Sequence, residues 1–368
     1  MISVMTLLGT RPEIVRLSET IKKLDTYTDH CLVFTGQNYD YNLSQIFFDE
    51  LGIRKPDYSL NVKADSLGKQ VGNILAQCEY ALVKEKPDVV LVLGDTNSAL
   101  SCYIAKRLGI RVAHMEAGNR CFDDRVPEEV NRRIIDHTAD VNLCYSEHAR
   151  RNLLREGLHP SSIFVIGSPL PEVYKVHWDA IQASEILKEL GLKDKGYLLA
   201  SIHREENVRD NRRLFEIIVT LGAIARKMNV PVIFSTHPRT KQALERQQLI
   251  PVSANITLHE PFGMIDYVKL QLGALCCLSD SGTIHEDAAI LGITAVNVRD
   301  AQERPEVCDA GNTIMSGTDE DGITSAVRLV IKQAGVGVKF ERPADYKDTN
   351  YSDKAVRIIL SSRFGVRR

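Results

Sequence analysis

Short apolar runs alternate with amphipathic segments along almost the whole chain. In the first half the apolar runs predict strands at 2–8, 31–35, 88–93, 111–115, 140–145 and 163–166. Apolar residues at helical spacing predict helices at 12–24, 40–51, 66–85, 97–108, 127–137 and 146–156. This alternation, with its continuous Val, Ile and Leu runs, is typical of α/β proteins whose parallel strands are covered on both faces.

The second half repeats the same scheme. It predicts strands at 197–202, 231–236, 255–258, 274–279 and 294–298, with helices near 209–228, 239–248, 263–272, 282–291 and 321–334. The segment between the halves, 167–181, contains two prolines and the only tryptophan. We therefore expect two domains, 1–168 and 169–350, and an amphipathic C-terminal helix within 351–368 that packs back on the first domain.

The composition narrows the class of protein. A length of 368 residues suits two domains, and a formal net charge of -2 gives no general attraction to nucleic acids or acidic membranes. Eight cysteines without a CxxC pair indicate a reducing compartment, with neither a disulfide framework nor a zinc site. The N-terminus lacks a signal peptide and no run of 18 apolar residues occurs, so we expect a cytoplasmic protein that does not cross a membrane.

Four segments place polar residues directly after a predicted strand: 4–16, 89–99, 112–132 and 274–292. Ligands of doubly wound folds bind at the carboxyl ends of the strands. We therefore predict one active site in a cleft between two facing domains. The candidate residues at these strand ends are Arg11, Gln37, Asp95, Glu116, His203, His237, Ser281 and Arg299.

Two of these segments are candidates for binding an anion. In the first, Arg11 and Arg16 lie near the start of a helix, although a turn with a surface arginine would give the same pattern. In the second, Ser281, Gly282 and Thr283 open a helix whose backbone N–H groups suit a diphosphate. An ordinary N-cap by Asp280 or Ser281 explains the second pattern equally well.

Groups near the second segment extend this candidate nucleotide site. Glu286 or Asp287 could accept hydrogen bonds from ribose hydroxyls, and Arg299 and Arg304 could contact phosphate. Either arginine could instead pair with Asp300 or Glu303. No G-x-G-x-x-G follows a strand, so a dinucleotide such as NAD is not indicated.

Three carboxylates, Asp95, Glu116 and Glu128, come from separate strand-end loops. Asp95 could alternatively form an Asx-turn or cap a helix, and Glu128 could form an i, i+4 pair with Arg132. His203 and His237 also follow strands. No His, Asp or Glu cluster has the spacing of a metal site such as HExxH, so we predict no metal.

Seven motifs occur in order across the chain: GTRPE, GDTNS, HMEAGNR, RVPEEVNR, HREEN, SDSGTIHED and RDAQERPE. As an ordered set they resemble the non-hydrolysing UDP-N-acetylglucosamine 2-epimerase family. The resemblance implies an isomerase with two Rossmann-like doubly wound domains in the GT-B arrangement. It also implies a UDP-sugar substrate, no cofactor, and a homodimer.

Position by position, the resemblance implies a role for each matching residue. Asp95, Glu116 and Glu128 match catalytic acids, Arg132 a supporting arginine, and His203 a catalytic histidine. The positions matching UDP contacts are Arg11, Arg16, Tyr267, Ser281, Gly282, Thr283, Asp287 and Arg304, and His237 and Glu286 are further candidates on their placement.

The sequence also departs from the family pattern. Arg16 replaces a lysine, Thr283 a glycine and Asp287 a glutamate, while Gly36-Gln37-Asn38 replaces the GQH segment of an allosteric site. These departures resemble the branch that makes UDP-N-acetyl-L-fucosamine from UDP-2-acetamido-2,6-dideoxy-L-talose, a precursor of surface polysaccharide. The alternatives are interconversion of UDP-N-acetylglucosamine and UDP-N-acetylmannosamine, a GT-B glycosyltransferase, a hydrolysing epimerase, and a catalytically silent sensor of nucleotide sugars.

Overall fold

The computed structural model describes residues 1–36, 45–60, 62–249 and 254–361, and divides the chain into two compact units. The N-terminal unit comprises Met1–Val176 together with the C-terminal segment from Lys347 onward. The C-terminal unit comprises His177–Tyr346. Gln37, one of the candidate residues, lies outside the described residues.

Thirteen strands are present in the described residues. They are β1 (Ser3–Leu8), β2 (Asp29–Phe34), β3 (Tyr58–Ser59), β4 (Val89–Leu93), β5 (Arg111–Met115), β6 (Val141–Cys144), β7 (Ile163–Val165), β8 (Leu198–Ser201), β9 (Val232–Ser235), β10 (Ile256–His259), β11 (Cys276–Ser279), β12 (Ala295–Asn297) and β13 (Ile314–Met315). The N-terminal unit has the strand order β3-β2-β1-β4-β5-β6-β7 and the C-terminal unit the order β10-β9-β8-β11-β12-β13.

All of the strand pairs in both sheets are parallel within the described residues. Followed along the chain, each sheet starts at an inner strand, β1 or β8, and the next two strands extend it to one edge. The chain then returns to the other side of that inner strand and extends the sheet to the opposite edge. This is the doubly wound order of a Rossmann-like domain. The two α/β domains predicted from the sequence are therefore confirmed.

The α-helices of the described residues connect these strands. They are α1 (Arg11–Tyr27), α2 (Gln45–Leu51), α3 (Leu67–Glu85), α4 (Cys102–Arg107), α5 (Pro127–Thr138), α6 (Glu147–Arg155), α7 (Leu170–Val176), α8 (Trp178–Ala183), α9 (Ile186–Glu189), α10 (Glu205–Val208), α11 (Asn211–Met228), α12 (Pro238–Arg246), α13 (Met264–Gly273), α14 (Thr283–Leu291), α15 (Pro305–Asp309), α16 (Glu320–Gly335) and α17 (Tyr351–Ile359). Short 3₁₀ turns occur at Asn97–Ser101, Pro160–Ser162 and Ala344–Tyr346.

The strands form because their side chains are buried on both faces of each sheet. Every residue of β4, β8, β9 and β11 is buried. Burying one Val, Leu or Ile side chain is worth roughly 1.5–3 kcal/mol relative to leaving it exposed. The continuous apolar runs of the sequence are therefore the central strands of the two sheets.

The boundary between the units lies at Val176 rather than after residue 168. Helix α7 belongs to the N-terminal unit because it packs against α1. The C-terminal helix α17 also packs against α1. The carboxylate of Glu172 in α7 accepts hydrogen bonds from the backbone N–H (2.7 Å) and the hydroxyl (2.6 Å) of Ser352 in α17. The C-terminal helix thus packs on the N-terminal unit through buried polar contacts that sequence periodicity does not show.

Other differences from the predicted elements are local. The predicted helix 97–108 is a 3₁₀ turn followed by α4. Strands β3 and β13 each have two residues, too few to produce a periodic pattern, and were not predicted. None of the described helices is both long enough and apolar enough to span a membrane.

Candidate functional site

The candidate residues of the N-terminal unit follow three neighbouring strands. Arg11 comes two residues after Gly9 at the end of β1, Asp95 follows β4, and Glu116 follows β5. The order β2-β1-β4-β5 places the reversal of winding between β1 and β4. Because carboxyl ends of parallel strands lie at one edge, and because ligands bind at such a reversal, this edge is the candidate site of the unit.

Asp95 is held by helix α5. Its Oδ2 accepts hydrogen bonds from Nε (3.0 Å) and Nη2 (2.6 Å) of Arg132, whose Nη1 also donates to Glu129 (3.1 Å). Arg132 is buried, whereas the Asp95 side chain keeps about a quarter of its surface exposed. Asn131 additionally donates to the backbone oxygen of Asp95 at 2.9 Å. This fixes a partly exposed carboxylate at the strand end.

Glu116 follows β5, the strand next to β4, at the same edge of the sheet. It adopts the left-handed backbone region, with φ of 67°, and its Oε2 is 3.7 Å from Nη1 of buried Arg16. Arg16 also lies over the ring of Tyr145, with its Cζ atom 5.6 Å from the ring centroid. Because a non-glycine residue with positive φ is strained, the turn that presents Glu116 must be stabilised by its surroundings.

Gly118 allows this turn to pack closely against helix α6, which carries Ala149. Its φ is 82°, and a Cβ atom at this position would lie 2.4 Å from the carbonyl oxygen of Ala149. Only glycine therefore fits the backbone of this turn, which explains the glycine of the HMEAG motif in physical terms.

Glu128 lies in the first turn of α5 and is half-buried. The sequence allowed it an i, i+4 pair with Arg132. Arg132 makes ion pairs with Asp95 at 2.6 Å and with Glu129 at 3.1 Å. Glu128 lies at its predicted place near the start of α5, and the adjacent Glu129 is one of the carboxylates that hold Arg132.

Glu129 was missed by the sequence reasoning. It is fully buried and accepts hydrogen bonds from the backbone N–H groups of Cys121 (3.1 Å) and Phe122 (3.3 Å). It also binds the side chains of Arg132 and Arg133 at 3.1 and 3.0 Å. Its position three residues before Arg132 on one helix face was the available signal. Glu129 thus anchors the loop between Glu116 and Glu128.

A second buried network was also missed. His114 and Asp136 are fully buried, and their side chains are 2.9 Å apart. Arg120 donates to Asp136 at 2.6 Å and to both oxygens of Glu156, at 2.7 and 2.6 Å. Burial opposes ionisation of Asp136, but the hydrogen bonds and charges of His114 and Arg120 lower its pKa below the usual range.

Glu13 connects the β1 and β4 loops. Its Oε2 accepts hydrogen bonds from the backbone N–H groups of Gly9 (3.0 Å) and Thr10 (2.7 Å) and from the Thr10 hydroxyl (2.7 Å). Its Oε1 accepts from the hydroxyl of Thr96, beside Asp95, at 3.0 Å. Burial raises the pKa of Glu13 from 4.5 to about 7, although these hydrogen bonds favour the ionised form.

The raised pKa of Glu13 predicts an unusual pH dependence of stability. Because the folded protein binds this proton more tightly than the unfolded chain, the free energy of unfolding should fall as pH rises from 4.5 to about 7, by up to about 1.4 kcal/mol per pH unit from this group. Urea unfolding at several pH values should show this slope in the wild type and its loss in Glu13→Gln. A Glu13→Gln variant with the wild-type pH slope would contradict the assignment, and Glu79→Gln on the surface of α3 is the control.

In the C-terminal unit, the candidate residues follow β8 and β11, between which the winding of the second sheet reverses. Asp280, fully buried, accepts hydrogen bonds from the backbone N–H groups of His203 (3.0 Å) and Arg204 (2.9 Å) and from the side chain of Asn207 (3.1 Å). The Nδ1 atom of His203 is 3.5 Å from Asp280. Burial raises the pKa of Asp280, although these bonds oppose the shift. Asp280 therefore joins the two strand-end loops.

The contacts of Asp280 and Ser281 bear on the capping alternative. Helix α14 begins at Thr283 with Gly282 as its N-cap residue. The Ser281 hydroxyl accepts a hydrogen bond from the N–H of Thr283 at 3.2 Å, whereas the Asp280 carboxylate binds the β8 loop. A Cβ atom at Gly282 would lie 3.2 Å from Oε2 of Glu303. The helix start is thus closely packed at Gly282.

The acidic and basic candidates that come after the start of α14 are buried, and each contacts another polar side chain of the C-terminal unit. Arg304 contacts Glu286 at 3.3 Å, and Asp287 accepts a hydrogen bond from Gln271 at 2.7 Å. Arg299 is paired with Glu206 (3.0 Å) and Glu303 (3.2 Å). Of the two alternatives left open for Arg299, the structure thus contains the pair with Glu303. Any ligand contact would use groups whose orientation these pairs already fix.

The remaining candidates also have structural contacts. His237 is the N-cap residue of α12, and its Nδ1 accepts from the N–H of Arg239 at 3.2 Å. Its ring centroid is 6.0 Å from that of His203. Tyr267 packs against the core of the C-terminal unit, and Arg11 lies 5.8 Å over the ring of Phe47. The rings of these two histidines, each of which follows a strand, are therefore neighbours.

Comparison with known proteins gives consistent matches. Residues 22–360 match a family model described as UDP-N-acetylglucosamine 2-epimerase. The structure of UDP-N-acetylglucosamine 2-epimerase from Rickettsia bellii is 46% identical, with a TM-score of 0.89, covering 98% of this chain and 97% of that chain. The Methanocaldococcus jannaschii enzyme, crystallised with UDP-GlcNAc and UDP, is 35% identical with a TM-score of 0.91, covering 97% of this chain and 99% of that chain.

A relative with a different substrate is also similar. The UDP-2,3-diacetamido-2,3-dideoxy-D-glucuronate 2-epimerase of Pseudomonas aeruginosa is 34% identical over 332 residues, which are 88% of this chain and 91% of that protein.

Proposed function

Because the chain belongs to the non-hydrolysing UDP-N-acetylglucosamine 2-epimerase family, we propose that it inverts the configuration at C2 of a UDP-2-acetamido sugar. As a member of this family the protein is an isomerase. The observation that carries the proposal is the pair of carboxylates at one sheet edge, Asp95 and Glu116, each ion-paired with a buried arginine.

The chemistry explains why such groups are needed. No carbonyl acidifies the C2–H bond of the sugar, so direct deprotonation is costly. If the C1–O bond breaks first, its electron pair leaves with UDP, and positive charge develops on the ring. A base then removes the C2 proton, which gives a 2-acetamidoglycal and UDP. Protonation of C2 on the opposite face and return of UDP to C1 complete the inversion.

Two faces of the ring require two proton-handling groups. We assign the base, acid and cation-stabilising roles to Asp95, Glu116 and Glu128 together. Arg132 holds Asp95 in place, and Arg16 lies beside Glu116, with nearest nitrogen–oxygen distances of 2.6 and 3.7 Å.

The C-terminal unit supplies the groups suited to UDP. The backbone N–H groups of Ser281, Gly282 and Thr283 at the start of α14 suit the diphosphate, since a helix N-terminus carries partial positive charge. His203 is assigned to the diphosphate, and Arg11 and Arg304 to further UDP contacts. Groups of this kind would stabilise the departing diphosphate electrostatically.

The identity of the sugar is the finer part of the proposal. The names of the similar proteins support UDP-N-acetylglucosamine as the first substrate to test. The departures at Arg16, Thr283 and Asp287 support UDP-2-acetamido-2,6-dideoxy-L-talose, and the Pseudomonas relative supports a diacetamido sugar acid as a third. A cytoplasmic location, a homodimer, a role in surface polysaccharide synthesis, and independence from NAD and metals stay predictions.

Solvent deuterium tests the mechanism. Incubation of the enzyme with each UDP-2-acetamido sugar in deuterated water should give a product labelled at C2, because the proton removed from one face is replaced from solvent on the other. Proton NMR follows both the C2 configuration and the loss of the C2 proton signal. Turnover without label would contradict the elimination mechanism.

The same incubations separate the alternatives. Release of free sugar and UDP in stoichiometric amounts would indicate a hydrolysing epimerase. Transfer of the sugar only when an acceptor is added would indicate a glycosyltransferase. A control without enzyme measures spontaneous exchange, which must be negligible for the label to count.

A further inference from the structure

His114 lies on the strand that precedes Glu116 and contacts the residue before Asp95. It lies in β5, opposite Val92 of β4, and is fully buried. Its Nε2 is 2.8 Å from the carbonyl oxygen of Gly94, the residue before Asp95. Its Nδ1 is 2.9 Å from Oδ1 of Asp136. One imidazole ring thus connects α5 to the end of β4.

The two contacts determine the protonation of the ring. A carbonyl oxygen only accepts hydrogen bonds, so Nε2 must carry a proton. Asp136 also accepts from Arg120 (2.6 Å) and from the N–H of Gly118 (3.2 Å). Although burial opposes ionisation, the charges and hydrogen bonds around Asp136 lower its pKa, so that it is an ionised carboxylate. Nδ1 must therefore carry a proton as well. With both nitrogens donating, His114 is an imidazolium.

The surroundings balance this buried charge. His114 and Arg120 carry two positive charges, and Asp136 and Glu156 carry two negative charges. Glu156 is also 3.1 Å from His137, at the more exposed side of the cluster. Burial raises the pKa of the nearby thiols Cys102 and Cys144, so both stay neutral. A charge that is paired and hydrogen-bonded in this way can remain in the interior.

The contact to Gly94 bears directly on Asp95. Gly94 has a φ of 68°, and its N–H donates to the carbonyl oxygen of Met115 at 2.9 Å. The peptide between Gly94 and Asp95 is therefore held through its carbonyl by His114, while the Asp95 side chain is held by Arg132. Glu116 follows His114 by two residues on the same strand end.

We infer that His114 is a positioning residue, held as an imidazolium, that orients Asp95 through the carbonyl oxygen of Gly94. Its protonation follows from the hydrogen bonds alone. Its effect on turnover rests on the proposed function, in which Asp95 handles a proton.

Nitrogen-15 NMR of histidine-labelled protein tests the protonation. At about pH 7.5, one unit above the usual pKa of histidine, most histidine side chains are neutral. A neutral histidine shows one protonated and one unprotonated ring nitrogen. The His114 signals, identified by their loss in His114→Asn, should both be of the imidazolium type. An unprotonated ring nitrogen at this residue would overturn the inference.

A pair of variants tests the positioning. In His114→Asn the amide nitrogen falls near the place of Nδ1, which keeps the donor to Asp136 and loses the bond to Gly94. In His114→Gln it falls near Nε2, which keeps the bond to Gly94. We expect His114→Asn to lower kcat by about 10- to 100-fold, because a shift of about 1 Å in a reacting group costs up to that much.

Comparison of the two variants distinguishes a positioning role of His114 from a merely structural one. KM and UDP affinity should change little in either variant, and His114→Gln should retain more of the wild-type kcat than His114→Asn. Equal kcat values for the two folded variants would overturn the positioning role. If the wild-type protein turns over no UDP-2-acetamido sugar, the proposed function fails, while the NMR result still decides the state of His114.

Discussion

Replacing Asp95 with asparagine should lower kcat by about 10²- to 10⁴-fold, the range that a positioned general acid or base contributes. The substitution keeps the shape of the side chain and removes its capacity to exchange a proton. Arg132 retains Glu129 at 3.1 Å, so the fold of α5 should persist. Turnover is measured by NMR of the sugar C2 proton and UDP affinity by calorimetry.

The expected signature is a loss of kcat with nearly unchanged affinity for UDP, because the diphosphate is assigned to the other unit. Asp124→Asn is the matched control, since the Asp124 side chain is 78% exposed and its ion pair with Arg133 lies at the surface. Full turnover by the Asp95 variant would remove Asp95 from the mechanism. A lower urea midpoint in that variant alone would indicate misfolding instead.

Replacing Arg120 with methionine should destabilise the protein by about 3–5 kcal/mol, the cost of leaving a buried charge without its partner. The Arg120 guanidinium is fully buried and lies 2.6 Å from Asp136. Without it, the Asp136 carboxylate loses a charge that lowers its pKa, and Glu156 loses both hydrogen bonds from the guanidinium. Urea unfolding measures the change.

Arg125→Met provides the comparison within the same loop. Arg125 is 73% exposed and pairs with Asp123, so its replacement should cost about 0–1 kcal/mol. Similar losses for the two variants would show that the buried cluster contributes no more than a surface ion pair.

The buried cluster also shows how much of the candidate site the sequence could predict. Asp95, Glu116 and Glu128 were identified because each follows an apolar strand or opens a helix, and such positions are visible in the sequence. His114, Arg120, Asp136 and Glu129 were not identified. The contacts of His114, Arg120 and Asp136 join residues 16 to 36 positions apart, and no local period encodes such pairs. The spacing of Glu129 and Arg132 on one helix face was a local signal, but the hydrogen bonds of Glu129 to the loop before the helix are not visible in the sequence.

In the C-terminal unit, too, the sequence predicted the position of the candidate segment but not its contacts. The segment 280–283 was identified correctly as a strand end that opens a helix, but its local pattern could not decide which residue caps the helix. Asp280 could not be assigned from the sequence because its partners, His203 and Asn207, lie more than 70 positions away. The choice between capping and bridging depends on which donors the fold brings near a buried carboxylate.

The sequence by itself determined the two doubly wound units, the strand ends that carry polar residues and the family, because apolar period and ordered motifs are properties of the linear chain. Only the tertiary structure decided that Arg132 holds Asp95, that Arg16 holds Glu116, and that His114 bonds to Gly94. Those contacts depend on strand order and burial, since a buried charge takes whichever partner the packing brings within hydrogen-bonding distance.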